Sequence, residues 1–179
     1  SGVFLDKEDS YVKNFKKGHG KVYKSEKAFT LNGERLPKGE MGVVHGYFPV
    51  NELKQASKKH GVTINQYLVG TFVYAAYKEY MREQPSKIPF RCCVPVNLRP
   101  YYDSHTMKNF FAMVFATFQP EKESYTFSEI LEIVAQNLKE QITPENLNNI
   151  MSYNVSNEKN WILRAVPLVI KNFVMKQVY

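Results

Sequence analysis

From Ile88 to Leu98 apolar residues fall at every second position: Ile88, Phe90, Cys92, Val94, Val96 and Leu98. Arg91, Cys93, Asn97 and Arg99 fill the opposite side. A period of two is that of a strand with one face buried, so this run predicts a β-strand whose apolar row needs cover from elsewhere in the chain. Pro89 and Pro95 have no N–H to give to a ladder, which places the strand at an edge or a bulge. After a polar loop, FFAMVFATF (110–118) is apolar on both sides, as in a central strand covered twice.

The cover is legible as helices. Thr63-Ile-Asn-Gln66 is a capping-box pattern, predicting a continuous helix from 63 to about 83 that packs on the sheet through Leu68, Phe72 and Ala76. VNELKQASKKHG predicts a shorter helix before it, with Val50, Leu53 and Ala56 as its stripe and Gly61 just past its end. Thr126-Phe-Ser-Glu129 opens a helix to about Gln141 with Ile130, Leu131, Val134 and Leu138 inside. Thr143-Pro144 opens another to about Tyr153, and Pro167 a last one through Val178. MGVVHGYFPV (41–50) reads as a strand, and Asn32-Gly33 as the turn of a possible hairpin. Strands interleaved with long helices predict an α/β fold, a mixed β-sheet flanked by helices. Residues 1–39 form a polar lead-in and residues 40–179 one α/β domain.

The chain has 179 residues, enough for one ordinary domain. Its 12 Tyr and 12 Phe provide ample core area. The net charge of +7 comes from scattered lysines, such as Lys16–Lys17 and Lys58–Lys59, without an RNP-like, zinc-finger or arginine-rich signature. That pattern argues against nucleic acid and for a solvated surface, or one attracting an anionic co-substrate. Adjacent Cys92 and Cys93 project to opposite faces of their strand and cannot bridge, so both should be reduced, as in the cytoplasm. No run approaches the ~18 apolar residues of a membrane span. The chain opens on Ser1-Gly2 without Met, as an excised piece would.

Four histidines are the obvious candidates for chemistry. His19 and His60 neighbour glycines and read as exposed turn residues, whereas His45 reads as a half-buried imidazole in a strand. His105 lies in the loop between the two strands, beside Asp103 and Ser104, but adjacent loop residues do not build a triad. No HxxxH, CxxC, GxxxxGK[ST] or GxGxxG spacing occurs, so neither a metal site nor a phosphate cradle is indicated. Asn97, Arg99 and Asn109 stand at the strand end and at the loop's return. Arg99 could pair a carboxylate or tie down a neighbouring segment, and the Asn109 amide could bond backbone groups.

VPVNLRPYYDSHTMKNFF is similar to the "PVNLR … (G)NFF" segment of the chloramphenicol-acetyltransferase-like acyltransferases, closest to bacterial alcohol acetyltransferases and condensation-domain relatives. HGVTINQYLVGTFVYAAYKEY resembles the helix before that segment, and PLVIKNFVMKQVY one after it, in the family's order over most of 40–179. The resemblance implies one lobe of a two-lobed fold. It also implies transfer of an acyl group from a thioester co-substrate, acyl-CoA or an acyl-carrier arm, to an alcohol or amine, with no covalently bound cofactor. The family's catalytic HHxxxDG is absent from residues 1–179. The expectation is therefore a fragment whose catalytic His and other lobe lie elsewhere on the same polypeptide. The alternative is a non-catalytic module of the same fold that docks a carrier domain or partner protein. Lys108 replaces the glycine that many relatives carry before Asn109.

Overall fold

A computed structural model describes residues 9–16, 27–34, 36–159 and 165–172. Their regular elements are α1 (Ser10–Lys13), α2 (Val50–Lys59), α3 (Ile64–Glu79), β1 (Phe90–Asn97), β2 (Phe111–Phe118), α4 (Phe127–Gln141) and α5 (Pro144–Lys159). The chain is mixed α/β. Among the described residues the sheet is not a larger mixed one: β1 and β2 pair antiparallel and make a two-stranded ribbon. The Leu98 N–H donates to the Phe110 carbonyl where the loop closes. Buried Phe90, Val94 and Leu98 of the first run lie on the same face as buried Ala112, Val114, Ala116 and Phe118 of the second. The other face of β2 is not fully covered, for Phe111 and Phe115 are half-buried and Met113 is exposed.

The chain divides into two compact units, and both strands run through each. One unit holds residues 25–94 and 114–141. Its centre is the α3–α4 pair. Each helix starts at the expected cap: Gln66 N–H donates to Thr63 Oγ1, and Glu129 N–H to Thr126 Oγ1. The row Ile130, Leu131, Val134 and Leu138 is buried, as its spacing predicts. On α3 the inner face is Gly70, Val73, Ala76 and Tyr77 instead of the predicted Leu68–Phe72–Ala76 row. Leu68 and Phe72 are 43% and 51% exposed. A helix apolar around most of its girth gives no phase to its period, and the phase is set by Gly70. A Cβ there would stand 2.6 Å from Leu131 Cδ1 and 3.4 Å from Leu131 Cα, so the two backbones approach closely at this glycine. Tyr77 then meets Phe118 and Tyr125 edge-on, at 5.5 and 5.9 Å. The helix ends at Glu79, before 83, and Arg82 and Glu83 take positive φ ahead of Pro85.

Residues 41–49 form no strand, and the Asn32-Gly33 hairpin does not form. Every residue from 41 to 49 is exposed, Val44 at 99%. The reason is that a strand is stable only with a neighbour to take its N–H and C=O groups, and alternation in sequence cannot supply one.

The second unit holds residues 1–24, 95–113 and 142–179. In it α1 lies on α5, which buries Leu147, Met151, Ser152 and Val155 at helical spacing and runs to Lys159, past the predicted end at Tyr153. Ser152 Oγ donates to the Lys16 carbonyl. Pro167 does open a helical turn, with the Ile170 and Lys171 N–H groups on its carbonyl. The predicted continuation through 173–178 lies outside the described residues.

Candidate functional site

Two places gather polar side chains, one in each unit. The first is the loop from Leu98 to Phe110. Asn97 ends β1, and its Oδ1 accepts from the Arg99 N–H and from Arg99 Nη1, both at 3.2 Å. The rest of the guanidinium turns inward to backbone. Nη2 donates to the Thr106 carbonyl at 3.1 Å and to the Lys108 carbonyl at 2.6 Å, and Nε reaches the Thr106 carbonyl at 3.4 Å. Of the two roles open to Arg99, carboxylate partner or tie, the geometry selects the tie. One planar fork holds the Asn97 amide oxygen and two carbonyls of the loop, which Lys could not do. Thr106 is buried beneath it.

Asn109 is exposed, and its side chain makes no hydrogen bond among the described residues. The backbone bonding its amide could have supplied falls to Arg99. Lys108 has no positive φ, so this turn does not need glycine.

His105 also lies on the loop, 70% exposed, with Nε2 3.7 Å from Asp103 Oδ1. Lys13 Nζ is 3.2 Å from the other Asp103 oxygen. Ser104 Oγ is engaged with Ser10 Oγ at 2.7 Å, not with an imidazole. A general base must reach the proton it abstracts, and His105 reaches no hydroxyl here. What the sequence could not reveal is the clamp from α1. Ser10, Lys13 and Asn14 all bind this loop, and Tyr11 Oη donates to the Phe111 carbonyl while accepting its N–H. These partners are about ninety to a hundred residues apart in sequence, and no local pattern encodes them.

The second place is an open depression of about 980 Å³ where the α2–α3 turn meets α4, lined by His60, Gln66, Tyr125, Glu129, Glu132 and Lys139 among others. His60 caps α2 and sets its ring against Phe127 (5.5 Å) and Tyr67 (5.9 Å). The Gln66 amide is committed, accepting from the Thr63 N–H and donating to the Ala135 carbonyl. Lys122, and then the Thr126 backbone and hydroxyl, hold the Glu129 carboxyl down at about 2. These groups can line a binding surface, but they do not assemble a nucleophile with a base.

Of the remaining histidines, His45 sits in the exposed 41–49 segment, stacked on Tyr47 at 6.4 Å. It is not the half-buried strand residue its neighbours predict, because that strand does not form. His19 lies outside the described residues. Among the described residues no three His, Cys, Asp or Glu side chains stand close enough to hold a metal ion. Neither Cys92 nor Cys93 forms a disulfide among the described residues; the first is half-buried with its thiol pushed up by burial, the second exposed. No described helix is long and apolar enough to cross a membrane. No family model, curated protein or solved structure matches the chain.

Proposed function

We propose that residues 1–179 are part of a thioester-dependent acyltransferase of the chloramphenicol-acetyltransferase-like kind. It moves an acyl group from coenzyme A or a carrier arm to an alcohol or amine in the cytoplasm. Its general base belongs to an HHxxxDG segment outside these residues. The observation that carries the reading is the ordered set of three motifs, GVTINQYL, PVNLR…NFF and PLVIKNF. The middle one gains a physical sense from Arg99, which ties the strand ending in Asn97 to the carbonyls of Thr106 and Lys108, just before Asn109-Phe-Phe. A segment held that firmly suits a channel wall more than a mobile lid. A positioned general base by itself contributes typically about 10²–10⁴-fold.

The test is to express the complete reading frame that encodes this chain and follow thiol release from acetyl-CoA with simple alcohols. Turnover lost on changing the second His of an HHxxxDG segment is the expected result. A frame without that segment and without turnover overturns the proposal. It would favour the second reading, a docking module, for which the exposed apolar run from Met41 to Val50 is the supporting observation.

A further inference from the structure

The strand β2 reads FAMVFATF, with no charge, proline or glycine. Such a strand, if left with an open edge, is a template for pairing with another chain, and proteins usually blunt it with lysine, proline or a bulge. None of those devices is present in it. Alternate residues of β2, 112 to 118, face β1, so 111, 113, 115 and 117 turn their backbone groups the other way.

What meets that outer edge is a pair of carboxamides one helical turn apart on α4. Gln141 Oε1 accepts the Phe115 N–H at 3.0 Å, and Gln141 Nε2 donates to the Phe115 carbonyl. One side chain thus makes both bonds that a facing strand residue would make. Asn137 Oδ1 accepts the Thr117 N–H at 3.0 Å and is itself bonded by Gln141 Nε2 at 2.8 Å. The spacing fits. Four helical residues rise about 6 Å and two strand residues about 6.8 Å, so amides at 137 and 141 match the N–H groups of Thr117 and Phe115. At the strand's first residue the Tyr11 hydroxyl makes the same two-way bond to Phe111.

We infer that the Asn137–Gln141 pair is a surrogate edge strand, and that it keeps β2 from pairing with β2 of a second copy of this chain. The second copy is the occupant argued for because the edge is its own complement: an antiparallel strand placed across a two-fold axis presents identical groups to itself. Apolar residues at 137 and 141 would cover the edge without bonding it, leaving its N–H and C=O groups to find another partner.

The experiment uses residues 1–179 carrying Asn137→Leu and Gln141→Leu, with Gln136→Leu on the outer side of the same helix as control. In dilute solution, amide exchange at Phe115 and Thr117 should rise roughly three- to tenfold, as expected for losing one net hydrogen bond each. At high concentration the double variant should associate in sedimentation velocity and recover protection at those two amides, while the wild type and Gln136→Leu do neither. If the double variant fails to fold, Gln141→Met, which keeps volume and helix propensity, should show the same signs at Phe115. Wild-type exchange and sedimentation in the folded variant at every concentration overturn the inference. So does equal association of the Gln136→Leu control, which would mean general surface stickiness.

Discussion

At the scale of single residues, Arg99 shows how a pattern in sequence becomes a physical role. Alternation along 88–98 puts Asn97 and Arg99 on one side of a strand, and in the folded chain Arg99 Nη1 bonds Asn97 Oδ1. Which role Arg99 plays was not legible, because its partners are the carbonyls of Thr106 and Lys108, and every residue has a carbonyl. Removing the fork leaves the Thr106 carbonyl, in a buried residue, short of donors. Arg99→Ala should cost about 1–3 kcal/mol in denaturant unfolding. Arg99→Lys should recover less than half of that, because an ammonium cannot reach three acceptors in one plane. Full recovery by Lys would mean that charge, not the fork, holds the loop. The adjacent cysteines offer a second check at this scale. Cys93 is exposed, while Cys92 is half-buried with its thiol held protonated by burial. Iodoacetamide at neutral pH should therefore modify Cys93 first, as read by peptide mass, and Cys92 first would contradict the strand register.

At the scale of elements, what could be read in the sequence is what is local. The caps at Thr63, Thr126 and Thr143 sit where the capping pattern puts them, since a cap involves only three or four neighbouring residues. The predicted strand at 41–49 does not form because strand formation depends on a distant neighbour, and the inner face of α3 differs from its predicted row because Gly70, not the apolar count, decides how closely α4 approaches. Gly70→Ala tests that reading. Alanine favours a helix by about 1 kcal/mol, yet its Cβ would stand 2.6 Å from Leu131 Cδ1 and 3.4 Å from Leu131 Cα, so α4 as well as the side chain would have to give. Overpacking costs about 1–3 kcal/mol, so the net change should be a lower melting temperature, and a rise would show that the helices part easily. The N-terminus of α4 carries a pH signature as well. Glu129 titrates at about 2 when folded against 4.5 ordinarily, held down first by Lys122 and then by Thr126. Its folded value is the lower one, so its contribution is complete above about pH 4.5 and fades as pH falls towards 2. Glu129→Gln should flatten the acid limb of melting temperature against pH in that window. An unchanged limb would mean that the pair is broken in solution.

At the scale of the whole molecule, the question is whether these residues can catalyse anything alone. Base catalysis needs an imidazole with a substrate-facing nitrogen and a neighbour that orients it. His105 stands on an exposed loop beside Asp103, His60 is set against two aromatic rings, and His45 lies in an exposed segment without regular structure. None touches a hydroxyl or thiol among the described residues. Purified residues 1–179 should accordingly show no acetyl-CoA-dependent acylation of simple alcohols above background, measured as free thiol released. Within a complete polypeptide bearing HHxxxDG, Arg99→Ala should lower melting temperature and turnover together, because it acts by holding the loop and not by touching substrate. Loss of turnover at full thermal stability would instead place the guanidinium in the chemistry. Transfer by residues 1–179 alone, abolished by His105→Ala, would falsify the proposal of an external base. It would mean that the loop moves in solution to give His105 the hydroxyl partner that it lacks here.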